Sequence, residues 1–158
     1  MLGVHVLLAV GLAAFADALS PMGVAVAFAL VFVLMKLSAR LFGMRGYVLR
    51  VELGLRFAVW FVLEVLRASL DVARHVLAGK VAISPAVVAV PLIRREDWVV
   101  TLLSILLNLT PGTLVLHYAE DEGVLYIHVL DTDSAAAVTD GVRRIEARLL
   151  AWLGAGRL

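Results

Sequence analysis

Cysteine is absent from the 158-residue chain, which excludes disulfides and thiolate-held metal sites. Charge is also scarce: Asp, Glu, Lys and Arg make up 17% of the chain, below the roughly 25% of soluble domains. The net charge is only +1, so there is no basic field of the kind that draws nucleic acid. No motif for nucleophilic, metal or nucleotide chemistry occurs, so no catalytic residue, metal ligand or cofactor is assigned and no enzyme is expected. His5, His75, His117 and His128 are too scattered for a metal site argued from spacing. His117 and His128 fall on strands expected to pair, and they share a face only if the register is odd.

What the chain has in abundance is apolar surface. Apolar residues make up 63% and mean hydropathy is +1.00, and this character changes at about Lys80. Two apolar stretches, Leu2–Leu19 and Pro21–Leu37, are separated by one Ser-Pro turn. The first is near the lower length limit for crossing a hydrocarbon layer of about 30 Å, with His5 and Asp17 placed to reach headgroups at its ends. Ala14-Phe15-Ala16 resembles a signal-peptidase site, but no Lys or Arg precedes it and a second apolar run follows at once. A membrane hairpin is therefore expected over residues 1–42, with Pro21 in the first turn of its second helix. Gly3, Gly11, Ala14 and Ala18, and Gly23, Ala25, Ala27 and Ala29, offer small surfaces for close helix packing. Asp17, at the rim beside the turn, reads as an interfacial residue and not as a buried proton relay.

Residues 43–80 form a third helix candidate with a charged stripe. Glu52, Arg56, Glu64, Arg67, Asp71 and Arg74 fall on one face about 120° wide at 100° per residue. Glu52–Arg56 and Arg67–Asp71 are spaced for (i, i+4) ion pairs. Lipid on all sides would not tolerate that stripe, and basic residues flank the helix at both ends, which places both ends in the cytoplasm. The reading is an amphipathic interfacial helix, with Arg56, Glu64, Arg67, Asp71 and Arg74 as a subunit interface. A third span, with its polar face buried against a partner, is the alternative.

Residues 81–158 read as a small α+β domain in the order βαββα, a three-stranded sheet with two helices. Pro85 and Pro91 bracket an edge or short strand. A helix then opens at Arg94–Asp97 and carries Trp98, Leu102, Ile105, Leu106 and Leu109 on one stripe. Thr110-Pro111-Gly112-Thr113 is a structural turn, and Leu114–Ala119 and Val124–Leu130 form a hairpin around Glu120–Gly123. Asp131 and Asp133 serve better as turn and cap residues than as cation ligands. Ser134 or Asp133 caps a last helix striped by Val138, Val142, Ile145, Leu149 and Trp152.

Leu109-Thr110-Pro111-Gly112-Thr113, followed by the hairpin and Tyr126-Ile127-His128-Val129-Leu130-Asp131, resembles the signature of the MrpE/MnhE/PhaE family, the E-type component of the Mrp/Mnh/Pha multisubunit Na⁺/H⁺ antiporters. Pro85…Val90-Pro91 and Glu64…Ser69…Val72-Ala73 fit the same pattern; Leu70 departs from it, at a position where the family has Asn. The resemblance implies an accessory subunit of a monovalent cation/proton antiporter in a prokaryotic plasma membrane, and the basic flanks of the third helix make the expected topology multi-pass with the N-terminus and the C-terminal domain cytoplasmic. It implies the other Mrp subunits and membrane lipid as partners, with no nucleic acid and no small-molecule substrate bound by this subunit alone. Assembly, stability or coupling is the expected role, since larger subunits of that family carry the ion path. The competing reading is a membrane-tethered adaptor whose α+β domain recruits a protein partner.

Overall fold

The computed structural model describes residues 1–77, 84–132 and 134–154. Lys80, with the boundary drawn there, and Asp133 lie outside the described residues. The elements are α1 (Leu2–Phe15), α2 (Pro21–Ser38), α3 (Arg45–Leu77), β1 (Ala86–Pro91), α4 (Asp97–Leu109), β2 (Thr113–Ala119), β3 (Val124–Val129) and α5 (Ala135–Gly154). They group into two compact units, one built on Met1–Gly54 and the other on Leu55–Trp152.

In the first unit, α1 stops earlier than its apolar sequence does. Asp17 takes a left-handed φ of 52°, which Asp tolerates better than most residues. The Asp17 amide then donates to the Ala14 carbonyl at 3.1 Å and the Ala18 amide to that of Ala13 at 2.9 Å, a Schellman closure. At 14 residues α1 is about 21 Å long, short of the roughly 30 Å hydrocarbon layer. Among the described residues α2 is the one helix long and apolar enough to cross a membrane. Its start is fixed by Ser20, whose hydroxyl accepts from the Gly23 amide at 3.0 Å, and by Pro21 in the first turn. Gly23 is required there, because a Cβ would run into the Ala18 carbonyl. The two helices pack through Ala9, Ala13 and Ala27, flanked by Leu12, Val24 and Phe28. Ala27 is the one residue of the expected small surfaces in this buried cluster; Gly3 and Gly11 face open space.

In the second unit the sheet order is β1-β3-β2, antiparallel throughout, so the proline-bracketed strand is indeed an edge. Val88 and Val90 of β1 and Leu125, Ile127 and Val129 of β3 are buried, as period-two alternation requires. Val99, Val100, Leu103 and Leu107 of α4 and Val142, Ile145 and Leu149 of α5 complete that core. The α5 stripe is the one its sequence indicates. The α4 stripe is not: Trp98, Ile105 and Leu109 are exposed, because this helix is apolar on two sides and packs with the other. A bulge between Val115 and His117 shifts the hairpin register, pairing His117 with Tyr126 and Leu114 with His128. His117 and His128 therefore lie on the same face of the sheet.

Candidate functional site

Two features nominated separately by the sequence come together in the second unit: the charged face of α3 and the turn after α4. Thr110-Pro111-Gly112-Thr113 is a tight turn with Gly112 at φ 87°, the value a type II turn requires at its third position. Its hydroxyls are already engaged. Thr113 Oγ1 donates toward the Leu107 carbonyl at 2.6 Å and lies 2.9 Å from that of Thr110, while Thr110 Oγ1 donates to the Leu106 carbonyl at 3.2 Å. These bonds satisfy carbonyls that the end of α4 leaves without helical partners. Asn108 Oδ1 accepts from the Val115 amide at 2.8 Å, and the Leu130 amide donates to the Gly112 carbonyl at 2.8 Å. The turn thus ties α4 to both hairpin strands.

Against it stand Ala68, Asp71, Val72 and His75 of α3, which with the turn and Val129–Asp131 line a cavity of about 290 Å³. A neighbouring cavity of about 340 Å³ is lined by Glu64, Thr110, Thr113, Asp131, Thr132 and apolar residues of α4, β3 and α5. Of the proposed interface residues, Glu64 and Asp71 line hollows within this unit, Glu64 half-buried and Asp71 exposed like Arg56, Arg67 and Arg74. The ion pairs differ from the expected (i, i+4) set. Glu64 pairs with Arg67 at 3.4 Å and Asp71 with Arg74 at 2.9 Å, both (i, i+3), and Glu52 pairs with Lys36. Helix neighbours three and four apart are both within reach, so spacing alone leaves the choice to side-chain rotamers.

Further along α3, Phe57 stacks on Trp152 with ring centroids 6.1 Å apart, and Arg148 lies 4.4 Å over the Trp60 ring. Leu55, Val59, Val62, Leu63, Leu66 and Leu70 are exposed, a continuous apolar stripe at helical spacing.

Two polar residues missed by sequence reading are wholly buried. Glu146 of α5 has 0% exposure, and its Oε1 accepts from the Ile93 and Arg94 amides at 2.8 and 3.1 Å, fixing the chain between β1 and α4. It sits inside the α5 stripe between Val142 and Leu149, and that position was the available signal. His5 has 0% exposure and does not reach outward as its place near the end of an apolar run suggested. Its Nε2 lies 3.0 Å from the Phe28 carbonyl oxygen, which can only accept, so that nitrogen carries the proton. Its Nδ1 lies 2.6 Å from the Tyr47 hydroxyl. Burial pushes the Tyr47 phenol above its ordinary range, so it stays protonated. The imidazole also stacks on Phe28 with centroids 3.8 Å apart. Nothing near His5 in sequence signals these partners.

Comparison with known proteins places these features in context. The family model described as Na⁺/H⁺ ion antiporter subunit (MNHE) matches residues 4–151. The E-type Na⁺/H⁺ antiporter subunit of Alkalihalophilus pseudofirmus OF4 is 38% identical over 85 residues, 54% of each chain. That of Bacillus subtilis 168 is 37% identical over 83 residues, 52% of each, so the chain spans about half the length of these two relatives. The corresponding E1-type antiporter subunit of Staphylococcus haemolyticus JCSC1435 is 34% identical over 107 residues, 68% of this chain and 67% of that one. A chain in the structure of the Mrp complex from Dietzia sp. DQ12-45-1b aligns with 31% identity and a TM-score of 0.47, covering 60% of this chain and 89% of that chain.

Proposed function

The chain belongs to the MnhE family of Na⁺/H⁺ antiporter subunits, and from that premise we propose that it is a membrane-bound accessory subunit of a multisubunit Na⁺/H⁺ antiporter. Its role is to support assembly, stability or coupling of the complex; it does not itself form the ion path. The family match over residues 4–151 carries this reading. Several features support the finer assignment. The α1–α2 pair has no charged residue facing inward, and His5 is occupied by Tyr47 and a backbone carbonyl. The turn hydroxyls that could have held an ion are bonded to α4 carbonyls.

The α1–α2 hairpin enters the plasma membrane with its Asp17–Ser20 corner on the outer side, and α3 lies at the inner surface. Its apolar stripe faces lipid or neighbouring subunits, while the exposed Arg56, Arg67 and Arg74 meet headgroups or partner carboxylates. The C-terminal α+β unit is then cytoplasmic. The Thr110–Thr113 segment is architectural: it holds α4, β2 and β3 in register beneath the charged face of α3.

The test is affinity purification of the tagged chain from its native membrane in mild detergent, with mass identification of what accompanies it. Polytopic membrane subunits in fixed ratio are expected. Recovery with a soluble protein alone would support the adaptor reading instead.

A further inference from the structure

The last turn of α3 and Ser84, two residues before β1, meet on a single carboxylate. Asp131 accepts the Ser84 amide on Oδ1 at 3.0 Å, and its Oδ2 stands 3.3 Å from His75 Nε2. The other ring nitrogen, Nδ1, lies 2.7 Å from the Asp71 carbonyl oxygen. Both groups facing the ring are acceptors. A neutral imidazole carries one N–H and one lone pair, so it satisfies one contact while turning a lone pair on the other oxygen. Only the doubly protonated ring donates to both.

From this geometry we infer that His75 and Asp131 form a proton-dependent clasp, which fastens the last turn of α3 to the end of the sheet most firmly when His75 is protonated and loosens when His75 is neutral. The inference stands on these contacts and does not require the assignment of function above. Among the described residues, the surrounding groups leave the pairing uncontested. Asp71, on the same helix, has its carboxylate engaged by Arg74 at 2.9 Å. The Thr110–Thr113 turn across the cavity carries no ionisable side chain, and among the described lining residues Asp71, His75 and Asp131 are the ionisable ones. Both members of the clasp are part-exposed, 47% and 38%, so each exchanges protons with solvent.

The sign follows from the two protonation states. The clasp is tightest with a protonated His75 facing the Asp131 carboxylate, so removing the ring proton at higher pH loosens it.

Amide hydrogen exchange of the full-length chain in detergent at pH 6 and pH 8.5, corrected for intrinsic exchange rates, tests this. In the unmodified chain, protection of the amides of Val72–Leu77 should fall about two- to fivefold between the two pH values, the range of a part-exposed ion pair. His75→Lys, with a permanent cation, should hold its protection at both. Asp131→Asn should show the lower protection at both. Unchanged protection in the unmodified chain, or the same pH response in Asp131→Asn or His75→Phe, would overturn the clasp.

Discussion

At Glu146 a wholly buried carboxylate replaces solvent for two backbone amides, those of Ile93 and Arg94. Removing the acceptor leaves those donors without a partner, a cost of about 1–3 kcal/mol for each one that stays dry. Glu146→Leu should therefore lower the thermal midpoint of the full chain in detergent clearly more than Glu146→Gln, which keeps an acceptor oxygen. Gly23 poses the opposite problem, too little room. A Cβ there meets the Ala18 carbonyl, so Gly23→Ala should destabilise by about 1–3 kcal/mol, as overpacking does. Gly11, with open space around it, should accept alanine with no loss, because alanine is the better helix former. Equal midpoints for Gly23→Ala and Gly11→Ala would contradict the tight corner. His5 could not be read from the sequence as a buried residue, and Glu146 only through its place inside the α5 stripe. Their partners are backbone groups and a phenol that lie 23 to 53 residues away along the chain.

Among the elements, those governed by local rules were legible. Prolines placed β1 at an edge, Gly112 placed the turn, and the 3.6-residue period of α5 named its buried face. Ser134 caps that helix, its hydroxyl accepting from the Ala137 amide at 3.2 Å. Where two faces of a helix are equally apolar, as in α4, periodicity could not say which one the sheet would take. The end of α1 was illegible for another reason: a single left-handed Asp17 stops a helix whose composition would let it continue. The stripe on α3 was visible as charge, but its division into residues facing the α+β core and residues facing outward depends on packing. That division yields a prediction. Leu63→Lys with Leu66→Lys places two charges in the exposed apolar stripe and should sharply reduce recovery of associated membrane subunits. Glu122→Ala, at the exposed tip of the β2–β3 hairpin and outside that stripe, should leave recovery near normal. Undiminished recovery with both lysines present would mean that the stripe faces water.

For the whole molecule, the missing cysteines become an asset, because any single introduced cysteine is an unambiguous reporter. Leu19, Arg45 and Glu122 are exposed in their own units and suit substitution. With an impermeant thiol reagent on intact cells, Leu19→Cys should label, whereas Arg45→Cys and Glu122→Cys should label only after the membrane is opened. Labelling of Arg45→Cys but not Leu19→Cys from outside would reverse the hairpin.

The most direct measurement separates building the antiporter from conducting through it. Asp17→Asn, Glu64→Gln and Asp71→Asn each remove a carboxylate from this chain with little change in shape, and Asn suits the left-handed position of residue 17. Na⁺-driven proton exchange in membrane vesicles should be compared for all three, normalised to the amount of assembled complex. Exchange per complex should match the unmodified antiporter in each, with any loss appearing in the amount assembled. A variant that assembles fully but exchanges no protons would place that carboxylate in the ion path and contradict an accessory role.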